Sequence, residues 1–389
     1  MSKVPEGWEF YRLGDLGEIV TGNTPSTTVE DNYGNEYLFV SPFDMGTNKY
    51  VRHSQKMLSE KGFSQCRKIP AESVMVTCIA SLGKLAIASQ LCTTNQQINS
   101  IICNDDTFPD YVYYYLQNFP ELIISISGTT AVPIVNKSLF SSIRIPIPPL
   151  PEQKRIAEIL SSVDRSIEAT EKLIAKLADV KKALMQELFT KGIGHTKFKD
   201  SPLGRIPEQW EVMKLGKYIS LSSGKFNPTK NLSSLSSQMC PYPVYGGNGI
   251  TGFYDKYLVD YDTIIIGRVG EYAGTSCLVS RLCWVTDNAI YVKTIDSNSV
   301  NLNFLNSYFV YYDLRQLAEQ TGQPKITQEP IMELNIALPP ISEQTEIASI
   351  LSANDSKIEK AKTRLSKLQD MKKGLMQDLL TGTVRCFNA

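Results

Sequence analysis

Residues 145–190 read IPIPPLPEQKRIAEILSSVDRSIEATEKLIAKLADVKKALMQELFT, and this stretch recurs later in the chain. Residues 336–381 read IALPPISEQTEIASILSANDSKIEKAKTRLSKLQDMKKGLMQDLLT, in the same register and without a gap. A shorter pair precedes the copies, PEGWEFYRLG at 5–14 and PEQWEVMKLG at 207–216. An internal repeat of this length fixes the architecture of a chain. The sequence therefore predicts two equivalent units related by a pseudo-two-fold axis, each with a Trp-containing opening motif, a variable stretch and a helix.

The apolar residues of both copies follow a heptad pattern, whose spacing alternates between four and three. Polar residues take seam positions at Thr170, Lys181, Asn354 and Lys372, and the last three of these either fix the register or face a third party. A period of 3.5 residues over this length predicts a left-handed coiled coil. The other predicted seam residues are Ile156, Leu160, Val163, Ile167, Ile174, Leu177, Leu184 and Leu188, then Ile347, Leu351, Ile358, Ala361, Leu365, Leu368, Leu375 and Leu379.

Both helices carry start and stop signals. The proline pairs at 148–149 and 339–340 cannot lie inside a helix, and Ser342 is the predicted N-cap of the second helix. Gly192 and Gly382 are expected to end the helices. Each helix then runs for roughly 38 residues, or about 57 Å. We expect the two helices to pack antiparallel. The alternative is two ordinary core helices of separate domains, although such helices average about 11–12 residues.

The composition is that of a globular protein of a reducing compartment. The chain has 389 residues, of which 42% are hydrophobic and 21% are charged, and its eight cysteines form no Cys-x-x-Cys pair. It lacks the run of about 18 apolar residues that a membrane span needs. Its N-terminus, MSKVPEGWEF, has no signal-peptide character. We therefore predict a cytoplasmic location and no membrane partner.

The sequence gives little support to an enzyme. His53 and His195 are the only histidines and lie in no metal-binding or nucleophile motif, so we predict neither catalytic nor metal-binding residues. Residues 247–252, GNGITG, fit the dinucleotide fingerprint by letter. That fingerprint requires a helix directly after it, whereas FYDKYLVDYDTIII at 253–266 reads as turn and strand. There is no P-loop either.

Between each opening motif and its helix, short apolar runs alternate with turn residues, which is typical of strands. Amphipathic helices are predicted at 111–119 and 304–320, and Gly-containing loops at 127–135 and 321–327. A final strand precedes each proline pair. The other predicted strands are 37–41, 73–80, 84–89 and 98–103, then 241–249, 262–268, 282–286 and 289–293. The pattern indicates one mixed α/β unit used twice.

The Pro-Glu-Gln and Ser-Glu-Gln starts at 151–153 and 342–344, the Trp motifs and the Gly loops resemble the DNA specificity subunit of type I restriction-modification systems. The resemblance covers both halves of the chain. Shorter motifs typical of its target-recognition domains are TNQQIN at 94–99, SGK at 223–225, YPVYGGNGITGF at 242–253 and GRVG at 267–270.

The resemblance implies an α/β fold with two target-recognition domains at 1–148 and 194–340. They are joined by two long antiparallel helices, at 149–193 and, with a C-terminal tail, at 341–389. It implies a non-catalytic subunit that reads a bipartite site in double-stranded DNA and uses the coiled coil as a spacer. The expected partners are two methyltransferase subunits and motor-nuclease restriction subunits. S-adenosylmethionine and ATP are expected only on those partners.

Base reading requires polar side chains on loops that can enter a groove. For each position the alternative is a solvated loop residue. Gln323 and Lys325 are favoured because Gly322 and Pro324 mark a tight, exposed loop. The predicted DNA contacts are Thr24, Ser26, Lys84, Gln96, Gln97, Thr129 and Thr130 in the first unit, and Lys225, Asn248, Arg268, Tyr272, Asn288, Gln323 and Lys325 in the second.

Two other functions remain open at this point. One is a self-contained DNA methyltransferase or nuclease with duplicated recognition domains, although the Asp/Asn-Pro-Pro-Tyr/Phe tetrapeptide of amino-methyltransferases does not occur in the sequence. The other is a structural coiled-coil adaptor, which the polar Gly loops of both units disfavour.

The charge balance predicts weak DNA binding by the isolated chain. The net charge is zero, and residues 1–150 carry 11 basic and 14 acidic side chains, whereas 193–341 carry 13 of each. Affinity for DNA depends largely on neutralised phosphates, so binding is expected to rely on local basic groups or on a partner that supplies much of the positive charge. A titration of a labelled duplex at physiological salt is the test, and tight sequence-specific binding by the chain alone would contradict the expectation.

Overall fold

A computed structural model describes residues 4–46, 48–127, 132–319 and 322–386 of the chain. It divides into two compact units, of which unit 1 comprises Met1–Glu171 with Thr363–Ala389 and unit 2 comprises Lys172–Lys362. None of its described helices combines the length and apolar character needed to cross a bilayer. The helices are α1 Glu60–Ser64, α2 Pro109–Asn118, α3 Glu121–Ile124, α4 Lys137–Ser142, α5 Leu150–Lys191, α6 Leu302–Tyr312, α7 Gln328–Met332 and α8 Ile341–Leu380.

Unit 1 contains a five-stranded sheet of order β2-β9-β6-β7-β4, a three-stranded sheet of order β5-β3-β8 and the antiparallel pair β1-β10. Its strands are β1 Glu9–Arg12, β2 Gly17–Thr21, β3 Tyr33–Val40, β4 Tyr50–Val51, β5 Lys56–Leu58, β6 Val74–Thr77, β7 Leu85–Ala88, β8 Thr93–Thr94, β9 Ile98–Cys103 and β10 Arg144–Ile147.

Unit 2 contains a four-stranded sheet of order β14-β20-β17-β18, a three-stranded sheet of order β16-β15-β19, and the pairs β13-β21 and β11-β12. Its strands are β11 Phe198–Ser201, β12 Gly204–Pro207, β13 Glu211–Lys214, β14 Ile219–Ser223, β15 Tyr242–Gly246, β16 Gly249–Tyr254, β17 Thr263–Gly267, β18 Ser276–Val279, β19 Trp284–Val285, β20 Ala289–Ile295 and β21 Asn335–Leu338.

The repeat seen in the helices extends to the sheets. The order β2-β9-β6-β7 in unit 1 matches β14-β20-β17-β18 in unit 2, and β3 pairs in parallel with β8 as β15 does with β19. The pair β1-β10 likewise corresponds to β13-β21. The chain therefore forms the predicted mixed α/β unit twice.

Two local predictions are corrected. The helix predicted at 304–320 ends at Tyr312, because Asp313 adopts a left-handed conformation with φ of 60° and a 3-10 turn follows at Leu314–Leu317. Ser342 lies inside α8 and is not its N-cap, since the carbonyl of Pro340 already accepts the hydrogen bond from Gln344 N. The GNGITG stretch joins β15 to β16 as a hairpin, as the sequence indicated.

The two long helices pack antiparallel within each unit. In unit 1 the first turns of α5, with Ile156 and Leu160, share a core with Leu379 near the end of α8. In unit 2 the last turns of α5, with Leu188, share a core with Ile347 near the start of α8. A start that meets an end in both units requires opposite directions, which confirms the predicted antiparallel arrangement.

Gly192 and Gly382, just beyond the helix ends, have positive φ of 65° and 71°.

The predicted seam residues all lie at buried or half-buried positions. The buried seam residues are Ile156, Leu160, Val163, Thr170, Leu188, Ile347, Leu351, Asn354, Ala361 and Leu379. The half-buried ones are Ile167, Ile174, Leu177, Lys181, Leu184, Ile358, Leu365, Leu368, Lys372 and Leu375.

Two equivalent ion pairs cross the seam. In unit 1 Lys372 Nζ lies 2.7 Å from Asp164 Oδ1, and in unit 2 Lys181 Nζ lies 2.5 Å from Asp355 Oδ1. The two lysines are 191 positions apart, as are the two aspartates. The polar seam lysines therefore pair with the opposite helix, which favours their role in fixing the register.

A carboxylate at the start of each long helix, buried at Glu152 and half-buried at Glu343, holds the Trp of the opening motif. In unit 1 Glu152 accepts a 3.1 Å hydrogen bond from Trp8 Nε1 and two 2.8 Å bonds from Arg385, which follows α8. In unit 2 Glu343 accepts a 3.1 Å bond from Trp210 Nε1. His195, which follows α5, lies 2.9 and 3.0 Å from the two oxygens of that carboxylate. Each helix start is thus tied to the opening motif of its own unit.

The glutamine next to each of these carboxylates is also buried. Gln153 accepts a 2.8 Å bond from Phe108 N and donates to Asp106 O and Pro148 O, at 3.0 and 2.9 Å. Gln344 makes the equivalent set. It accepts from Asn301 N and donates to Ser299 O and Pro339 O, at 2.9, 2.8 and 2.9 Å. The Glu-Gln pair therefore locks each long helix to the loop that precedes α2 or α6.

Asn354→Val is expected to stabilise the chain. Asn354 is 6% exposed, and its Oδ1 has no partner within the described ranges. A buried unpaired group costs about 1–3 kcal/mol. The equivalent position of the first helix, 191 residues earlier, is Val163. Thermal unfolding is expected to shift upward by a few degrees. The exposed Ser352→Val on the same helix measures the intrinsic helix propensity of Val alone. A melting temperature for Asn354→Val at or below that control contradicts the assignment.

Glu152→Gln is expected to destabilise unit 1 by about 1–3 kcal/mol at neutral pH, because Arg385 and Trp8 lose a charged acceptor. Burial acts to raise the pKa of Glu152, but hydrogen bonds from Arg385 and Trp8 outweigh it and hold the pKa below its ordinary value. The stabilisation from a carboxylate with a lowered folded-state pKa is present above the unfolded pKa and is lost as pH falls through the folded one.

The difference in melting temperature between wild type and Glu152→Gln is therefore expected to be full at pH 7 and to shrink below about pH 4.3. The matched control is Glu158→Gln on the same helix, whose exposed pair with Arg155 contributes little. If the difference in melting temperature between wild type and Glu152→Gln does not change with pH, the charge of Glu152 does not contribute to stability.

Candidate nucleic-acid interface

Three loops of unit 2 are joined by backbone hydrogen bonds. Arg268 N donates to Asn288 O at 3.0 Å, Ile326 N donates to Arg268 O at 2.9 Å, and Gly270 N donates to Pro324 O at 2.8 Å. Residues of GRVG, of the turn between β19 and β20, and of the second Gly loop therefore meet. We call this group of segments the unit 2 loop cluster.

Unit 1 has the same three bonds. Cys78 N donates to Gln97 O at 2.7 Å, Val135 N donates to Cys78 O at 2.8 Å, and Ala80 N donates to Pro133 O at 3.1 Å. These bonds define the unit 1 loop cluster. Ala80, like Gly270 at the equivalent place, has a positive φ. The loops that the sequence predicts as DNA contacts are thus brought together by one shared backbone pattern in both units.

A glycine brings a further loop over each cluster. Gly22 N donates to Ile98 O at 3.1 Å, and Gly224 N donates to Ala289 O at 3.0 Å. A Cβ on Gly22 would collide with the carbonyl of Thr94, and one on Gly224 with the carbonyl of Thr286. Only glycine permits this approach, which explains the TGN and SGK motifs and positions the residues that follow them.

Of the five predicted contacts of unit 1 that the structure describes, all but one are exposed. Thr24 Oγ1 donates to Gln96 Oε1 at 2.7 Å, which joins two of the loops, and Ser26 pairs with Thr28. Lys84 Nζ donates to Pro42 O at 3.0 Å. Gln97 is half-buried. Thr129 and Thr130 lie outside the described residues.

Two side chains of the unit 1 loop cluster are already engaged. Gln97 exchanges hydrogen bonds with Asn95, its N donating to Asn95 Oδ1 at 3.1 Å and its Oε1 accepting from Asn95 Nδ2 at 3.0 Å. Burial raises the pKa of Cys78 to about 11, and hydrogen bonding with Asn99 only partly opposes this. The Cys78 thiol is therefore protonated and is not a nucleophile. Gln97 shapes the turn, which leaves Gln96 as the exposed amide of the pair.

In unit 2 four predicted contacts line one cleft of about 670 Å³, namely Asn248, Tyr272, Asn288 and Gln323. The other three lie around it. Arg268 is half-buried and donates to Asp287 O at 3.3 Å, while Lys225 and Lys325 are exposed.

The sequence did not single out four further residues that line this cleft, which are Phe226, Asn227, Lys230 and Thr286. Phe226 and Asn227 follow the SGK motif directly and Lys230 comes three positions later, and this closeness to the motif was the available signal. Thr286 begins the turn that carries Asn288.

The chemistry available at both clusters is hydrogen bonding by amides, hydroxyls, backbone and cations. Within the described ranges, no group of three His, Cys, Asp or Glu side chains could hold a metal ion. Polar loops of this composition, positioned by a sheet, suit recognition of a polar surface such as the edges of bases.

The family model of the type I restriction modification DNA specificity domain matches residues 5–179 and 207–370. The chain belongs to this family. The match falls once on each copy of the repeat. It confirms the resemblance drawn from the Glu-Gln helix starts and the Trp motifs. It also confirms the prediction that the chain is a specificity subunit and not an enzyme.

Relatives agree with this assignment, one over nearly the whole chain and one over less than half of it. The specificity subunit of the type I restriction enzyme MjaVIII of Methanocaldococcus jannaschii is 28% identical over 418 residues, 99% of this chain and 95% of that protein. The HindI specificity subunit of Haemophilus influenzae is 36% identical over 177 residues, 42% of this chain and 38% of that protein.

A solved structure of the type I restriction-modification S subunit of M. genitalium covers 97% of both chains with a TM-score of 0.67 and 17% identity. At this identity the likeness shows the fold, which is the α/β specificity-subunit fold that the sequence predicted.

Proposed function

We propose that this member of the specificity family reads a bipartite site in double-stranded DNA, with one loop cluster for each half-site. In this proposal residues 1–148 and 194–340 are the two target-recognition domains. The observation that carries it is the shared set of three backbone bonds, which presents equivalent loops in both units. The loops differ in side chains, with Gln96 and Thr24 in unit 1 and Asn288 and Gln323 in unit 2, so two different half-sites are expected.

The two long helices, at 149–193 and 341–389 with the tail, act in this proposal as the spacer that sets the distance between half-sites. Their cross-seam ion pairs and buried seams support a fixed register. The same helical regions dock two methyltransferase subunits, and motor-nuclease restriction subunits complete the complex. S-adenosylmethionine and ATP bind those partners and not this chain. The complex works on DNA in the cytoplasm, without a membrane partner.

The individual contacts named from the sequence remain predictions. Gln323 and Lys325 are still favoured, since both are exposed beside the unit 2 cleft. The family assignment favours neither alternative weighed from the sequence, a self-contained methyltransferase or nuclease and a structural adaptor.

The test is methylation in a host that lacks the system. The chain is co-expressed with its cognate methyltransferase subunit, and methylated adenines are sequenced genome-wide. We expect a split motif that appears only when both proteins are present. Exchanging residues 20–140 for those of another specificity subunit is expected to change one half of that motif. An intact complex whose target is unchanged by the exchange would refute the proposal.

Lengthening both helices by one heptad is expected to lengthen the spacer of that motif by about three base pairs. The insertions follow Lys172 and Thr363, which lie midway between Asp164 and Lys181 on α5 and between Asp355 and Lys372 on α8. Seven residues add about 10 Å and keep the seam on the same face. Both half-site sequences are expected to persist.

The control carries the heptad in α5 alone, which mismatches the two seams and is expected to abolish methylation of a defined motif. A motif with an unchanged spacer in the double insertion would mean that the helices do not set the distance.

A further inference from the structure

The cleft of unit 2 contains two buried polar groups that are unpaired. Asn227 and Thr286 are each 8% exposed. Among the described residues, Asn227 Nδ2 and Thr286 Oγ1 find no hydrogen-bond partner, and both residues line the cleft. A buried polar group without a partner is costly, and such groups point to a ligand that satisfies them.

The bonds that these two residues already make define what the ligand must offer. Asn227 Oδ1 accepts from Asn231 Nδ2 at 3.3 Å, so the free atom of the amide is a donor. Thr286 N donates to Tyr245 O at 2.9 Å, which leaves the Thr286 hydroxyl free to donate or accept. The ligand must therefore present a hydrogen-bond acceptor to Asn227 and a polar atom to Thr286.

The lining of the cleft favours a flat, neutral ligand. Phe226 is 73% exposed and Tyr272 is 40% exposed, and both present aromatic surface at the cleft. The charged side chains that line it within the described ranges, Lys230 and Asp287, have opposite signs. A phosphate would face the carboxylate of Asp287, whereas a nucleobase is planar and neutral. Its edge carries the required acceptors, such as purine N7, guanine O6 or thymine O4.

The free hydroxyl of Thr286 has no counterpart at the equivalent position of unit 1. Thr286 is equivalent to Asn95 of unit 1, since Asn95 N donates to Val40 O at 3.0 Å just as Thr286 N donates to Tyr245 O. Asn95, however, is satisfied by Gln97 on both sides of its amide. At the same position of the fold, unit 1 thus has an amide that is hydrogen-bonded to Gln97, whereas unit 2 has a hydroxyl without a partner among the described residues.

We propose that Asn227 and Thr286 determine which base unit 2 accepts at one position of its half-site, by hydrogen bonding to an acceptor on the edge of that base. This inference rests on the proposed function and deepens it. Both residues line the cleft and lie outside the two long helices. Changes at them are therefore expected to alter the choice of base and to leave the length of the spacer unchanged.

The experiment repeats the co-expression and methylation sequencing with two variants of the full chain. Thr286→Val removes the free hydroxyl and nearly preserves the shape of the side chain. Asn227→Asp removes the free donor while keeping the Oδ1 atom that Asn231 bonds. The matched control is Ser276→Ala, which removes another buried, unpaired hydroxyl of unit 2 that lies outside the cleft.

With Thr286→Val or Asn227→Asp, methylation of the original motif is expected to fall about tenfold, as for one mismatched base pair. One base position in the half-site of unit 2 becomes degenerate or changes. The half-site of unit 1, identified by the 20–140 exchange, and the spacer stay as they are. Ser276→Ala is expected to match wild type. The melting temperature of Thr286→Val is expected to equal or exceed that of wild type, because no hydrogen bond is lost.

The possible failures are distinguishable. A wild-type chain that directs no split motif overturns the proposed function. A wild-type motif that both cleft variants leave unchanged in sequence and extent overturns this inference alone. A cleft variant that lowers methylation evenly at all motif variants, or that loses thermal stability together with activity, assigns the cleft a structural role and also overturns it.

Discussion

A carboxylate and the buried glutamine beside it, at the first turn of each long helix, are the constraint on which the rest of the structure depends. Glu152 holds Trp8, and Glu343 holds Trp210, while Gln153 and Gln344 satisfy loop backbone that would otherwise be buried without partners. Buried charge is stable only with such partners. A helix of about 60 Å can therefore leave each sheet in a fixed direction. The loop clusters are carried by the same sheets, so these bonds also help to fix the position of each cluster within its unit.

The heptad spacing was enough to predict the seam, because a 3.5-residue period has one main structural solution. The antiparallel pairing was predicted from the pseudo-two-fold relation of the two units. The same reasoning did not extend to Met185 and Phe189, which are buried beside the seam because that end of α5 also packs into the core of its own unit, unit 2. The Trp8–Glu152 bond, between residues 144 positions apart, and the role of Arg385, 233 positions from Glu152, leave no local pattern. Only the matching Trp and Glu-Gln motifs of the two copies hinted that these residues act together.

For the candidate site, the sequence identified the loops better than the side chains. Glycines and prolines mark where backbone turns, and the backbone bonds of Arg268 and Cys78 bring those turns together. Which side chain is free depends on neighbours that are distant in sequence. Gln97 was a candidate, yet it is engaged by Asn95, whereas Asn227 sits in a loop that was noticed only for its lysine. Two copies of one fold have thus diverged in which polar atoms they leave available.

The division of the two units along the chain has a consequence for biosynthesis. Unit 2 is a continuous stretch, Lys172–Lys362, whereas the core of unit 1 combines Trp8 and Leu13 with Met376 and Leu380 from the far end of the chain. On the ribosome, the later half can therefore close its core while the earlier half still waits for its last helix turns. Unit 1, although its translation begins before that of unit 2, is completed after it, and until then its apolar sheet face needs protection from aggregation.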